Sequence, residues 1–223
     1  VLVEHAYALP SGGQLLNRQI TISSSAPAAT GADYRVAFLP VSNYAIKGII
    51  VDFCIGTNTP IIGDTTCNTP AGFDIGTPTV DTTPGLSGYD DLGDGTGTWT
   101  AIDHGAANHT LRLTNPSGPT LNSANANRYA FVISGVTNPS TTGTFYARII
   151  TYTSDIGEVA SYAPGTEGST DARDYGGIAL STANVINIQA KVQESLTFCV
   201  SEADPTPGCQ GTTVPALVLG HGT

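Results

Sequence analysis

The sequence predicts an all-β protein, a two-sheet antiparallel sandwich of Ig-like or jelly-roll type with long loops and a terminal strand extension. Three observations carry that expectation. Apolar residues recur with a period of two in run after run, as half-buried strands require. The runs are separated by turn-forming residues, with 26 glycines and 14 prolines in 223 residues. No stretch has the 3.6-residue apolar period of an amphipathic helix, and charged residues, the usual dress of a helix surface, make up only 12%.

Taken in order, Leu16, Ile20 and Ile22 mark a first strand in LLNRQITIS, followed by a loop over residues 26–32. Tyr34, Val36 and Phe38 alternate with Arg35, Ala37 and Leu39 in a second, which Pro40 stops. Ile49, Val51, Phe53 and Ile55 form a deeply buried third. Residues 56–97, rich in Thr, Pro, Gly and Asp, read as one long irregular loop. A loop of that length inside a domain is usually functional or stapled. Strands resume at residues 99–102 and in HTLRLT with Leu111 and Leu113. They continue in RYAFVIS with Tyr129, Phe131 and Ile133. In TFYARIITYT, Phe145, Ala147 and Ile149 share one face, and Tyr146, Arg148, Ile150 and Tyr152 the other. Both faces carry bulky side chains, which places that strand in the middle of a sheet. Residues 159–162 read as a short strand, 164–177 as a loop, and 178–180 as the approach to a last strand. The total is about eight or nine strands, as a sandwich needs.

That last strand organises the reading. In residues 184–200, NVINIQAKVQESLTFCV, the apolar set Ile186, Ile188, Ala190 and Val192 alternates with Asn187, Gln189, Lys191 and Gln193. A second alternation, Leu196, Phe198 and Val200, follows Glu194. The run exceeds the usual 3 to 10 residues of a strand, so its halves are expected to serve different bodies. Its second half also repeats an earlier pattern. Val51-Asp52-Phe53-Cys54-Ile55 with Cys67 further on parallels Leu196-Thr197-Phe198-Cys199-Val200 with Cys209 further on. Too little chain follows Cys199 to bury a core of its own. The expected division is an N-terminal segment 1–13 (a donor strand or the remnant of a signal), a sandwich 14–193, and a Cys-loop extension 194–223 that either leans on the sandwich, is completed by another chain or starts a second repeat.

Eighteen acidic against eight basic residues give a net charge of −10, which disfavours nucleic acid and anionic membrane surfaces as partners. No apolar run approaches the ~20 residues of a membrane-spanning helix. The four cysteines fall in two close pairs, Cys54 with Cys67 and Cys199 with Cys209, without C-x2-C spacing or a neighbouring histidine cluster. Two local disulfides are the expectation, with buried free thiols the alternative. Each bridge would close a loop worth roughly 3 kcal/mol and would place the chain outside the cytoplasm, extracellular or at the cell surface. Ala6-Tyr7-Ala8 has the form of a signal-peptidase site after apolar Val1, Leu2 and Val3; alternatively, residues 1–7 form an apolar terminal strand.

Phe53-Cys54, Leu111-Arg112-Leu113-Thr114-Asn115, Ile133-Ser134-Gly135-Val136-Thr137-Asn138-Pro139, Phe145-Tyr146-Ala147-Arg148-Ile149 and Val192-Gln193-Glu194-Ser195-Leu196-Thr197-Phe198-Cys199-Val200 together resemble a family of functionally uncharacterised, secreted surface β-sandwich proteins from bacteria of the candidate phyla radiation. The resemblance covers roughly residues 16–220 and implies export and a cell-surface role, with no catalytic residues. Family members tend to continue past the second Cys loop into another β domain. More loosely, a sandwich with an apolar N-terminal segment is similar to the biofilm-fibre subunits of the TasA and camelysin class.

Few residues suggest chemistry. Asp90, Asp91 and Asp94 in YDDLGDGT offer clustered carboxylates on a glycine turn, either a weak calcium site or a simple Asx turn; no other cofactor is expected. Asp103-His104 is an acid–histidine pair without a nucleophile elbow, so no catalytic residue is assigned. Lys47 and Lys191, the only lysines, are isopeptide candidates or ordinary edge lysines. Asn108-His109-Thr110 is an N-x-T sequon. Three function classes remain: a homopolymer subunit of an extracellular filament or surface layer joined by β-strand complementation, an adhesin or glycan-binding module using Tyr89, Trp99 or Tyr175, and a secreted hydrolase. The last lacks a recognisable constellation. The first is preferred, with the polymer interface at Val1, Leu2, Val3 or at Leu196, Phe198, Val200.

Overall fold

Among the described residues ten strands stack in two five-stranded sheets, and the expected sandwich is the fold. The computed structural model describes residues 10–56, 62–63, 66–93, 97–103, 108–125, 127–166 and 170–184. All of these belong to the unit Val1–Val185.

In chain order the strands are β1 (Leu16–Ile22), β2 (Ala32–Leu39), β3 (Gly48–Cys54), β4 (Thr79–Asp81), β5 (Tyr89–Asp91), β6 (Thr100–Asp103), β7 (Thr110–Thr114), β8 (Arg128–Val136), β9 (Gly143–Tyr152) and β10 (Ala172–Thr182). One sheet runs β1-β2-β8-β4, with β5 beside β8 as well. The other runs β10-β9-β3-β7-β6. Every pairing is antiparallel except β5 with β8. No helix among the described residues is long and apolar enough to cross a membrane.

The alternation in each long strand decides which face meets the core. Tyr34, Val36 and Phe38 of β2 and Phe131 and Ile133 of β8 pack against Ile49, Val51 and Phe53 of β3 and Phe145, Ala147 and Ile149 of β9. Phe73 joins them from a loop, its ring centroid 4.8 Å from that of Phe53 and 6.2 Å from that of Tyr34. Strand β9 is central, as expected, between β10 and β3. Its other face and that of β3 supply Ile150, Tyr152 and Ile50 to a second apolar layer, closed by Ile62, Val159, Tyr162 and Ala172. Loops therefore roof the outer face of this sheet, which is why β3 is buried at every position.

Three expectations are corrected. The stretch 56–97 is not one irregular loop, because β4 and β5 lie within it and both pair with β8. Neither has an apolar alternation of its own; β8 organises them, and tertiary pairing overrides propensity. Residues 159–162 are not a strand: a 3-10 helix spans Gly157–Val159. Val159 and Tyr162, three apart, point into the same apolar layer, as a turn rather than a strand allows. The expected loop 164–177 becomes strand at Ala172, so β10 includes Asp174, Gly176 and Gly177. Asp174 is tolerated in the sheet because its carboxylate accepts from the backbone N–H groups of Gly13, Val41 and Ser42 at 3.2, 2.8 and 2.8 Å. Residues 185–200 of the expected last strand and the division at 193/194 lie outside the described residues.

Candidate functional site

The outer face of β3 carries a polar centre inside an apolar layer. Asp52 is fully buried there. Its carboxylate accepts hydrogen bonds from the Thr110 hydroxyl at 2.7 Å, the Tyr162 phenol at 2.8 Å and Nδ1 of His109 at 2.8 Å. A carboxylate stripped of water needs such donors, and three of them replace its hydration. Thr110 opposes Asp52 across β3 and β7, and Arg148, also fully buried, opposes it across β3 and β9. Nη2 of Arg148 donates to the Thr66 carbonyl at 2.8 Å.

The expected Cys54–Cys67 disulfide closes over the same spot. Sγ of Cys67 lies 3.0 Å from Oδ2 of Asp52, a contact and not a donated hydrogen bond, since a disulfide sulfur carries no proton. Asp52, Cys67 and His109 have potential ligand atoms within 4.8 Å of one another. With Cys67 in a disulfide, that set reduces to one imidazole and a carboxylate whose oxygens already accept three hydrogens, and its chemistry is that of an anchor. It ties the Cys67 loop, the residue leading into β7 and the segment after the 3-10 helix to the middle of a sheet. The sequence does carry a signal for Asp52, the one acid in the apolar run Ile49-Ile50-Val51-Asp52-Phe53. Its partners are remote in sequence and have no such signal.

Two of the calcium candidates, Asp90 and Asp91, do not share a face. Asp90 and Asp91 are successive residues of β5, so their side chains leave opposite faces. Asp90 accepts from the side-chain amides of Asn125 and, at 3.0 Å, Asn127. Asp91 accepts from the Gly85 N–H at 2.9 Å. Asp94, His104 and Lys191 lie outside the described residues; Lys47, half-buried, immediately precedes β3. Of the aromatics considered for recognition, Trp99 packs against the main core and Tyr175 against the outer layer. Tyr89 sits on β5 beneath the guanidinium groups of Arg35 and Arg128.

The two sides of the sandwich end differently. On one side the chain before β1 seals the edge of β10: Gly12 N–H donates to Arg173 O, Leu15 N–H to Tyr175 O, and Tyr175 N–H to Gly13 O. On the other side β4 and β6 each have a neighbour on one edge only among the described residues. A groove of about 450 Å3 opens there, lined by Gly76, Thr77, Pro78, Ala101, Ile102 and Asn108. The sequon residue Asn108 is thus part of a groove wall. Of the expected interface residues, Val1, Leu2, Val3, Leu196, Phe198 and Val200 lie outside the described residues, as do Cys199 and Cys209. Comparison with protein-family models and with curated proteins finds no match to this chain.

Proposed function

We propose that this chain is a structural subunit of an extracellular filament or surface layer, in which each copy adds a strand to the sandwich of the next. The observation that carries the reading is the edge at β6. It is the last strand of its sheet among the described residues, and it borders a groove with half-buried Ala101 and Ile102 in its wall. Open strand edges invite pairing by another chain, and proteins that stay monomeric usually cover or charge them.

The donated piece is residues 196–200. In an extended strand Leu196, Phe198 and Val200 would share one face and Thr197 and Cys199 the other, the pattern of a strand that buries one side. Each of those apolar side chains gains about 1.5–3 kcal/mol on full burial, and the backbone ladder supplies direction and register. Donor and acceptor are different patches, so the contact is heterologous and propagates instead of closing. The Cys54–Cys67 bridge fits a non-reducing compartment and favours a place outside the cytoplasm.

Electron microscopy of the purified chain, of a chain cut after Gln193, and of one without residues 1–9 tests this. Filaments or sheets from the first and third, and folded monomers from the second, support the reading. Loss of assembly only in the third moves the donor to residues 1–7. Unchanged assembly in both shortened chains overturns strand donation.

A further inference from the structure

A second groove, of about 480 Å3, lies over the other sheet and is lined by Asn17, Arg18, Gln19, Gly88, Asn127 and Arg128. Its floor is a fixed polar network. Arg128 donates from Nη1 to Oε1 of Gln19 at 2.6 Å and from Nη2 to the Tyr89 oxygen at 3.0 Å. Tyr89 in turn donates to the same Gln19 oxygen at 3.2 Å. The guanidinium carbons of Arg35 and Arg128 stand 5.0 and 4.8 Å from the Tyr89 ring centroid. Arg18 is held by the carbonyls of Leu15 and Gly177 and crosses β10 at Gly176, where a Cβ would lie 2.1 Å from its Cδ.

Two features set this groove apart from an ordinary surface hollow. The first is charge. Arg18, Arg35 and Arg128 are half of the six arginines in a chain of net charge −10. None has a carboxylate within 4.0 Å among the described residues. Asp90, which follows Tyr89 on β5, is occupied by Asn125 and Asn127. The second is backbone. The register of β1 shifts between Leu16 and Gln19, and Asn17 takes a left-handed φ of 48°. A bulge of this kind re-aims side chains, and here it turns Asn17 and Arg18 into the groove wall.

We infer that this groove binds a carboxylate-bearing saccharide. A guanidinium offers a planar fork of donors that matches a carboxylate. Arg128 and Arg18 use only part of that capacity on protein acceptors. The side-chain amides of Asn17, Gln19 and Asn127 present both donors and acceptors, as neighbouring sugar hydroxyls require. The lining contains no apolar side chain, which fits a polyhydroxylated ligand better than a peptide. Because the network is already formed, little ordering opposes binding. This inference is independent of the assembly reading, since its groove shares no residue with β6 or with the groove beside it.

Calorimetric titration with trigalacturonate, its methyl ester and inorganic sulfate tests it on the intact protein. The acid should bind, with the ester at least tenfold weaker and sulfate weaker still. Arg18→Gln and Arg128→Gln should each weaken binding at least tenfold, while Arg173→Gln, which removes the same charge elsewhere, should not. Side-chain amide NMR signals of Asn17, Gln19 and Asn127 in the wild type should shift on titration, which keeps the test valid if a variant misfolds. Equal binding of ester and acid, no response to either arginine change in a folded variant, sulfate binding as tight as the saccharide, or shifts elsewhere only would each overturn the inference.

Discussion

The phenol of Tyr162 donates a 2.8 Å hydrogen bond to Oδ2 of Asp52, joining positions 110 residues apart inside the outer apolar layer. A hydrogen bond to a buried charge is worth about 1.5–3 kcal/mol, and leaving partners of a buried charge unpaired costs about 3–5 kcal/mol. Tyr162→Phe should therefore lower stability by about 1.5–3 kcal/mol, and Asp52→Ala by about 3–5, in urea unfolding followed by circular dichroism. An Asp52→Ala change below about 1 kcal/mol would show that the cluster does not anchor the roof.

The Cys54–Cys67 bridge spans 13 positions. Its loop is of a size that contributes about 3 kcal/mol in the chain-entropy account. Replacing both cysteines by serine should lower the unfolding midpoint accordingly. Non-reducing peptide mapping should also recover Cys199 linked to Cys209; a peptide joining Cys199 to Cys54 would contradict the pairing.

Tyr34 predicts an alkaline limit to stability. Burial raises its pKa above the ordinary 10.0, and its hydroxyl donates to Oδ1 of Asn138 at 2.7 Å. The folded state thus keeps a proton that the unfolded chain gives up near pH 10. Stability from this group is complete below that pH and declines as pH rises from there toward the folded pKa. Tyr34→Phe should flatten the decline above pH 10 while costing about 1–3 kcal/mol at neutral pH for the unpaired amide oxygen. An identical alkaline slope in the variant would assign the effect elsewhere.

Calcium should change little. With the oxygens of Asp90 and Asp91 directed to Asn125, Asn127 and Gly85, melting temperatures in calcium and in chelator should agree within about a degree or two. A shift of tens of degrees would mean that these carboxylates bind the ion.

Much of the fold was legible because the long strands alternate cleanly between two faces. The split of β9 into Phe145, Ala147 and Ile149 against Ile150 and Tyr152 could be read from alternation alone, as could its central place. Asn138 in the Thr137-Asn138-Pro139 motif has a role that alternation could not show. It accepts from Tyr34, and its amide donates to the carbonyls of Ser24 and Ala26, holding the β1–β2 loop. Strands β4 and β5 were hidden because β8, far along the chain, supplies their pairing. The start of β10 was hidden by Gly176 and Gly177, which look like a turn, although Gly176 leaves room for Arg18 to cross. The Asp52 centre was half legible, since an acid in an apolar run demands partners that only the fold can name.

Amide hydrogen exchange along β6 distinguishes an edge covered by the next copy from an open one. Its N–H groups that point away from β7 have no strand partner among the described residues, and strand addition from the next copy would cover them. In the assembled full-length protein those amides of Thr100–Asp103 should exchange at least tenfold more slowly than in the chain cut after Gln193. Equal exchange in the two forms, or new protection at β10 with none at β6, would contradict assembly through this edge.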